Sequence, residues 1–205
     1  MIVIGYSGHA YVACGILGAS GIVVSGYCDH EEKKFNPLSL PYIGSENDST
    51  VQEQLRHAGC FIAVGDNRIR KKVYHTLQSV DIQPVNAVHP SAVIAPHVQV
   101  AHGNVMIGAG VILNPFSVIE TGAICNTAAV IEHECVVGAF AHIGPGAVLC
   151  GNVQIGAGAF VGAAAVIRQG IRIGANAMIG MGAVVVKDVA DGAVVVGNPS
   201  RKINE

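Results

Sequence analysis

Apolar residues return every six positions between Ile107 and Val189. Ile107, Leu113, Ile119, Cys125, Ile131, Val137, Ile143 and their successors to Val185 hold one phase, all aliphatic except Cys125. Four positions after each stands a second, mostly small series: Val111, Ser117, Ala123, Ala129, Cys135, and on to Val189. Glycine often follows the aliphatic residue, as at Gly108, Gly138, Gly144, Gly156 and Gly162. Neither a helix of period 3.6 nor a meander of period 2 keeps such a phase, so the pattern predicts a repeat architecture. A six-residue period predicts a β-solenoid, in which each hexad supplies one short strand and one bend and three hexads close a triangular coil. The aliphatic residue points inward onto its equivalents one coil above and below, and the small residue occupies the crowded corner. Gly, Asn and Asp tolerate the backbone angles of the bend.

The stretch before the repeat has a different pattern. Met1–Gly5 reads as an apolar strand that runs through Tyr6-Ser7-Gly8-His9-Ala10 into a helix ending near Gly18. Ile22–Cys28 is a second strand, followed by Asp29; residues 30–47, with Pro37, Pro41 and Gly44, read as a long loop that could cover a ligand. Thr50–Ala58 is helical, Cys60–Val64 is a third strand ending in Gly65-Asp66-Asn67, and Arg68–Ser79 is a helix that Asp66 or Asn67 can cap. Arg68, Arg70, Lys71 and Lys72 read as a solvated face of that helix. The hexads start imperfectly at Ile94 and Val100, slip by one residue near Met106, and lock at Ile107. The expectation is therefore an α/β N-terminal domain over residues 1–86, a small Rossmann-like parallel sheet, followed over 87–205 by an all-β parallel β-helix. The tail after Val189 is expected to cap the prism's end.

Composition narrows the partners. The net charge of −2 and charged fraction of 13% leave no basic stripe, so nucleic acid is not an expected partner. The 51% hydrophobic content is spread singly among Gly and polar residues, no apolar run reaches the roughly 20 residues of a membrane span, and the N-terminus lacks signal-peptide features. Six cysteines without a CxxC pair read as reduced small hydrophobes, which points to the cytoplasm.

Two regions carry candidate chemistry. A strand, a Gly-rich turn and a helix N-terminus suit an anion site, because unpaired N–H groups face the turn, with a plain strand-to-helix turn as the competing reading; Gly5-x-x-Gly8 is not the full dinucleotide fingerprint. Asp29, at the end of the second strand, is placed either to face a ribose or to cap a turn. Within the repeat, Glu132-His133-Glu134 and His142 interrupt an otherwise bland series. A histidine beside carboxylates suits a general base, since the carboxylate orients the ring and stabilises the imidazolium; a solvated bend is the competing reading.

The six-residue period resembles that of the left-handed β-helix of hexapeptide-repeat acyltransferases. Asn126-Thr127, Val130-Ile131-Glu132-His133-Glu134-Cys135, His142-Ile143, Pro145-Gly146-Ala147 and Gly151-Asn152 resemble the family of sialic acid O-acetyltransferases and N-acetyltransferases of nucleotide-linked 4-amino-4,6-dideoxy sugars, most closely the type of UDP-N-acetylbacillosamine synthesis. The likeness extends to Gly5-x-Ser7-Gly8-His9, Gly65-Asp66-Asn67-x-Ile69-Arg70-Lys71-Lys72 and Gly197-x-Pro199. It implies a cytoplasmic homotrimer with sites between subunits, no metal, and direct transfer from acetyl-CoA to the 4-amino group of a nucleotide-linked sugar, with UDP as the expected nucleotide. His133 would be the base and Glu134 would raise its basicity. His142, Asn126, Gly151, Ala163 and Met181 would hold acetyl-CoA, and Gly8, His9, Ala10, Asp29, Gly65, Asp66 and Asn67 the sugar nucleotide. Asp29-His30 stands where the bacillosamine type has paired aspartates, which leaves the base open. Acetylation of a sugar hydroxyl is the alternative. A zinc lyase of the γ-carbonic anhydrase kind, with His97 and His102 as ligands, is a remote one.

Overall fold

The computed structural model describes residues 1–203. The N-terminal part contains β1 (Ile2–Ile4), α1 (Gly8–Ala19), β2 (Gly26–Cys28), β3 (Tyr42–Gly44), α2 (Ser49–Ala58), β4 (Cys60–Ile62) and α3 (Asn67–Gln78). The four strands form a parallel sheet in the order β3-β2-β1-β4. Val3, Tyr27 and Phe61 pack against Ala10, Ala13 and Leu17 of α1. On the other face, Ile4, Cys28 and Ile62 pack against Val51 and Leu55 of α2 and Val73 and Leu77 of α3. Burial on both faces explains why β1 is a continuous apolar run rather than an alternating one. The region expected to be a loop contains β3, because Tyr42 and Ile43 are strand formers whose flanking Pro41 and Gly44 hid them.

The solenoid follows the period. From Met106 to Val185 the strands pair in parallel at a spacing of 18 residues, as Ile124↔His142, Val130↔Val148 and Val118↔Val136. Three sheets result. Face I carries Ile124–Cys125, His142–Ile143, Phe160–Val161 and Met178–Ile179; face II carries Val130–Ile131 and Val148–Leu149; face III carries Val136–Val137 and Gln154–Ile155. The inward residues from Ile107 to Val185, and the small series beside them, are buried throughout.

The glycines play two separate parts. The left-handed backbone position lies three residues after each inward residue, at Gly110, Gly122, Ala128, Glu134, Phe140, Gly146 and Asn152. The glycine directly after the inward residue is required by close approach of coils: a Cβ at Gly138 would lie 2.7 Å from Ile155 O, and at Gly144 2.7 Å from Val161 O.

The slip before Ile107 also has a structural cause. Ala87 pairs with Met106 and Gln99 with Val118, 19 residues apart, whereas Met106 pairs with Ile124, 18 apart. The additional residue falls between Gln99 and Met106, where Asn104 is fully buried with φ 61°. Its side chain accepts from Ile62 N at 2.6 Å and donates to Ile62 O at 3.1 Å, so one amide pairs with β4 as a neighbouring strand would. β4 is the edge of its sheet, and this contact closes the edge while docking the sheet on the prism. After Val185, Val194–Val196 continues face I and Arg201–Lys202 pairs antiparallel with it, closing the far end.

Candidate active site

His142 lies on face I. Because Ile143 points inward, the imidazole points out toward the N-terminal domain, where it is 7% exposed. Its Nδ1 donates to Gly65 O at 3.4 Å and its Nε2 accepts from Asn126 Nδ2 at 3.1 Å, a pair of contacts that defines the tautomer. The His9 ring lies 5.9 Å away between centroids and packs on Gly65, and its Nε2 is buried without a partner. Burial, then the Arg70 guanidinium and then His9, push His142 down to about 3; burial and Arg70 push His9 down to about 4. Both rings are neutral near pH 7, and His142 acts as a hydrogen-bonding group, not a cation. A cavity of about 880 Å³ opens here, lined by Gly65, Asp66, Asn67, His142, Phe160 and Met178 among others.

Arg70 is a correction to the sequence reading, which placed it on a solvated face. It is fully buried and makes five hydrogen bonds: Nε to Gly122 O, Nη1 to Val64 O and Gly65 O, Nη2 to Asn67 Oδ1 and Phe140 O. It makes no ion pair with any described residue. The signal was its spacing, since Arg70, Val73, Tyr74 and Leu77 form the buried stripe of α3. Asn67 donates to Gly158 O and Ala159 O at 3.0 and 3.1 Å and so belongs to the same docking seam, while Asp66 caps α3 by accepting from Arg68 N and Ile69 N. The sequence reading also missed Asn104, Phe160 and Met178. The last two occupy the outward positions of face I, one and two coils beyond His142, and were findable from the 18-residue register alone.

His133 and Glu134 occupy another part of the prism, the bend between faces II and III. His133 Nδ1 lies 3.1 Å from Glu134 Oε2, with the side chains 59% and 63% exposed. The imidazole lies directly over Gly151 of the next coil, where a Cβ would fall 2.6 Å from Nε2. Glu134 holds φ at 60°. A smaller cavity of about 270 Å³ adjoins His133, lined by Gly151, Asn152, Gln169 and Gly170. Ala163 and Met181 stand on a third part, the bend between faces I and II, where Ala163 accepts from Gly182 N and Met181 is 82% exposed. The expected acetyl-CoA residues are thus divided: Asn126 with His142, Gly151 with His133, and Ala163 with Met181.

The other expected substrate residues line the carboxyl edge of the N-terminal sheet. Gly8 and His9 open α1, and Ala10 is buried beneath. Asp48 and Asp66 cap α2 and α3, whereas Ser7 makes no side-chain cap on α1, which leaves its first N–H groups facing the turn. Asp29 Oδ2 accepts from Tyr6 N at 3.0 Å, and Oδ1 accepts from His30 N and pairs with Lys33 Nζ at 3.0 Å. Of the zinc candidates, His97 stacks on Phe116 at 5.4 Å, and no three potential ligands converge among the described residues.

Known proteins share this arrangement. Residues 1–77 match the model of the PglD N-terminal domain, and residues 134–169 and 152–187 match the bacterial transferase hexapeptide model of six repeats. The crystal structure of a histidine-to-asparagine variant of perosamine N-acetyltransferase from Caulobacter crescentus, in complex with CoA and GDP-perosamine, is 36% identical with a TM-score of 0.92, over 100% of this chain and 96% of that one. The acetyltransferase domain of PglB from Neisseria gonorrhoeae, in complex with acetyl coenzyme A, is 31% identical with a TM-score of 0.89, over 98% of each chain. GDP-perosamine N-acetyltransferase of Escherichia coli O157:H7 is 35% identical over 98 residues, 45% of this chain; the chain spans 41% of that curated relative's length. The coil is accordingly the left-handed β-helix of this group. Full-length similarity at this level, with the same two parts in the same order, makes the chain a member of the hexapeptide-repeat sugar acetyltransferase family.

Proposed function

We propose that the protein transfers the acetyl group of acetyl-CoA to the 4-amino group of a nucleotide-linked 4-amino-4,6-dideoxy sugar, serving bacterial glycan synthesis. The observation that carries this reading is the His133–Glu134 pair seated over Gly151. An amine is protonated near neutral pH and attacks only after losing a proton, so a base must stand within hydrogen-bond reach of it. His133 Nε2 takes that proton while Glu134 at Nδ1 steadies the imidazolium. The neutral amine nitrogen then bonds to the thioester carbonyl carbon while backbone N–H groups stabilise the oxyanion; the nitrogen releases its surplus proton to solvent, the C–S bond breaks, and the thiolate leaves with the proton returned from His133. The Caulobacter relative's complex with CoA and GDP-perosamine together supports a ternary arrangement.

Within one chain His133 stands on the bend facing away from face I, where His142 and the N-terminal domain are found. We therefore propose a homotrimer in which the His133 bend of one subunit meets the His142 side of its neighbour, with acetyl-CoA lying in the groove between them. The test is thiol release from acetyl-CoA against a panel of UDP-, GDP- and dTDP-linked amino sugars and free sialic acid. Turnover of a nucleotide-linked amine is expected, and turnover of the free acid alone would replace this reading with O-acetylation. His133→Ala is expected to fold normally and lose about 10²-fold or more in kcat, the usual scale of general-base catalysis; wild-type turnover would remove His133 from its role.

A further inference from the structure

We propose that Glu46 reads the base of the nucleotide sugar and selects guanine. The inference rests on the nucleotide-sugar reading above and adds to it which nucleotide is bound. Because all four strands of the N-terminal sheet are parallel, Glu46, two residues past the end of β3, emerges on the same edge as the Tyr6–Ala10 turn, Asp29 and Gly65. In open α/β sheets the phosphates lie at the first helix N-terminus and the nucleoside extends over the end of the second strand. Here β3 flanks β2 on the outside, and Asp29 N donates to Gly44 O at 3.2 Å, which joins the two strand ends. A nucleoside with its ribose near Asp29 therefore carries its base onto Ser45–Glu46.

Glu46 is only 5% exposed. Its backbone carbonyl accepts from Gln52, but its carboxylate accepts no hydrogen bond and forms no ion pair among the described residues. Lys33 cannot neutralise it, being engaged with Asp29. His9 Nε2 is the one fully enclosed orphan atom among the described residues, so both Glu46 oxygens retain contact with solvent: the residue is sunk in the domain and its carboxylate is what remains accessible. Its neighbour Cys28 is held up to about 12, by burial first and by Glu46 next, and offers no compensating charge. A carboxylate that no side chain or backbone group of its own domain satisfies is open to a ligand that supplies donors.

A carboxylate only accepts, and two parallel donors suit it best. Guanine places N1–H and the N2 amino group side by side. Uracil and thymine offer one N–H flanked by two carbonyl oxygens that would repel the carboxylate.

The decisive comparison uses GDP, IDP and UDP binding to the intact protein by calorimetry, because IDP differs from GDP only in lacking the N2 amino group. Wild type is expected to bind GDP about 10- to 100-fold more tightly than IDP, the scale of one hydrogen bond to a charged acceptor, and more tightly than UDP. Glu46→Gln is expected to erase the GDP/IDP ratio while leaving the KM for acetyl-CoA unchanged. Equal wild-type affinity for GDP and IDP, or an unchanged ratio in Glu46→Gln, overturns the assignment. Faster turnover of a UDP-linked than of a GDP-linked amino sugar overturns Glu46 and leaves the proposed function standing. Absence of turnover with every nucleotide-linked amino sugar overturns both.

Discussion

Glu134 occupies a backbone position that most residues avoid. At φ 60° it stands in the same column of bends as Asn152 and Gly170, residues that accept the left-handed region easily. Holding a glutamate there costs about 1 kcal/mol, and the return is a carboxylate on His133 Nδ1. Glu134→Gly is therefore expected to raise the melting temperature slightly while lowering kcat/KM about tenfold. An unchanged rate in the thiol-release assay would show that the carboxylate contributes nothing. Gly151 is the complementary case. Its φ is not positive, so alanine fits the backbone, yet the new Cβ would meet the His133 ring at 2.5–2.6 Å. Gly151→Ala is expected to keep the fold and lose about 10-fold or more in kcat through displacement of the proposed base; a wild-type kcat would show that the ring position is not critical.

At the level of elements, the hexad decides which side chain faces inward, and a one-residue error would turn every Ile and Val outward. That is why the solenoid, its inward series and even its slip were legible from pattern alone. The same pattern is silent on contacts between distant segments. β3 was hidden by its flanking Pro41 and Gly44, Asn104 was one polar residue in an irregular coil, and Arg70 was masked by the neighbouring Arg68, Lys71 and Lys72. His133 was legible because it broke a bland series, but its distance from His142 around the prism required the three-sheet register. The glycine positions supply a stability test. Gly144→Ala would drive a Cβ to 2.7 Å from Val161 O, whereas Gly182→Ala, at φ 65°, meets open space. The first is expected to cost about 1–3 kcal/mol by overpacking and the second about 1 kcal/mol by backbone strain, a ranking that thermal melts would check.

For the whole molecule, assembly and pH response follow from where the histidines sit. If the site is shared between subunits, co-expressed His133→Ala and His142→Ala chains should form mixed trimers with measurable activity, because some sites draw an intact residue from each. Sites contained in one chain would all stay defective. His142 and His9 are held at about 3 and about 4 against an ordinary value of 6.5. The unfolded chain therefore binds protons that the native state refuses, so this stabilisation is present above pH 6.5 and is lost as pH falls toward 4 and 3. The urea midpoint should drop between pH 7 and 4.5, and His142→Asn should reduce that drop; an identical slope in the variant would refute the linkage.

Arg70 bears on how such enzymes can change their substrate. Its guanidinium grips Gly122 O and Phe140 O, which lie at equivalent bends of two successive coils. The N-terminal part is thus keyed to one storey of the prism. Grafting it onto another prism would require two carbonyls and the Asn104 amide at the same heights, and a mismatch would leave a charge buried without partners. Exchange of whole domains is a poor route to a new acceptor. The freer route is to rewrite residues 30–47, which reach the carboxyl edge without taking part in the grip.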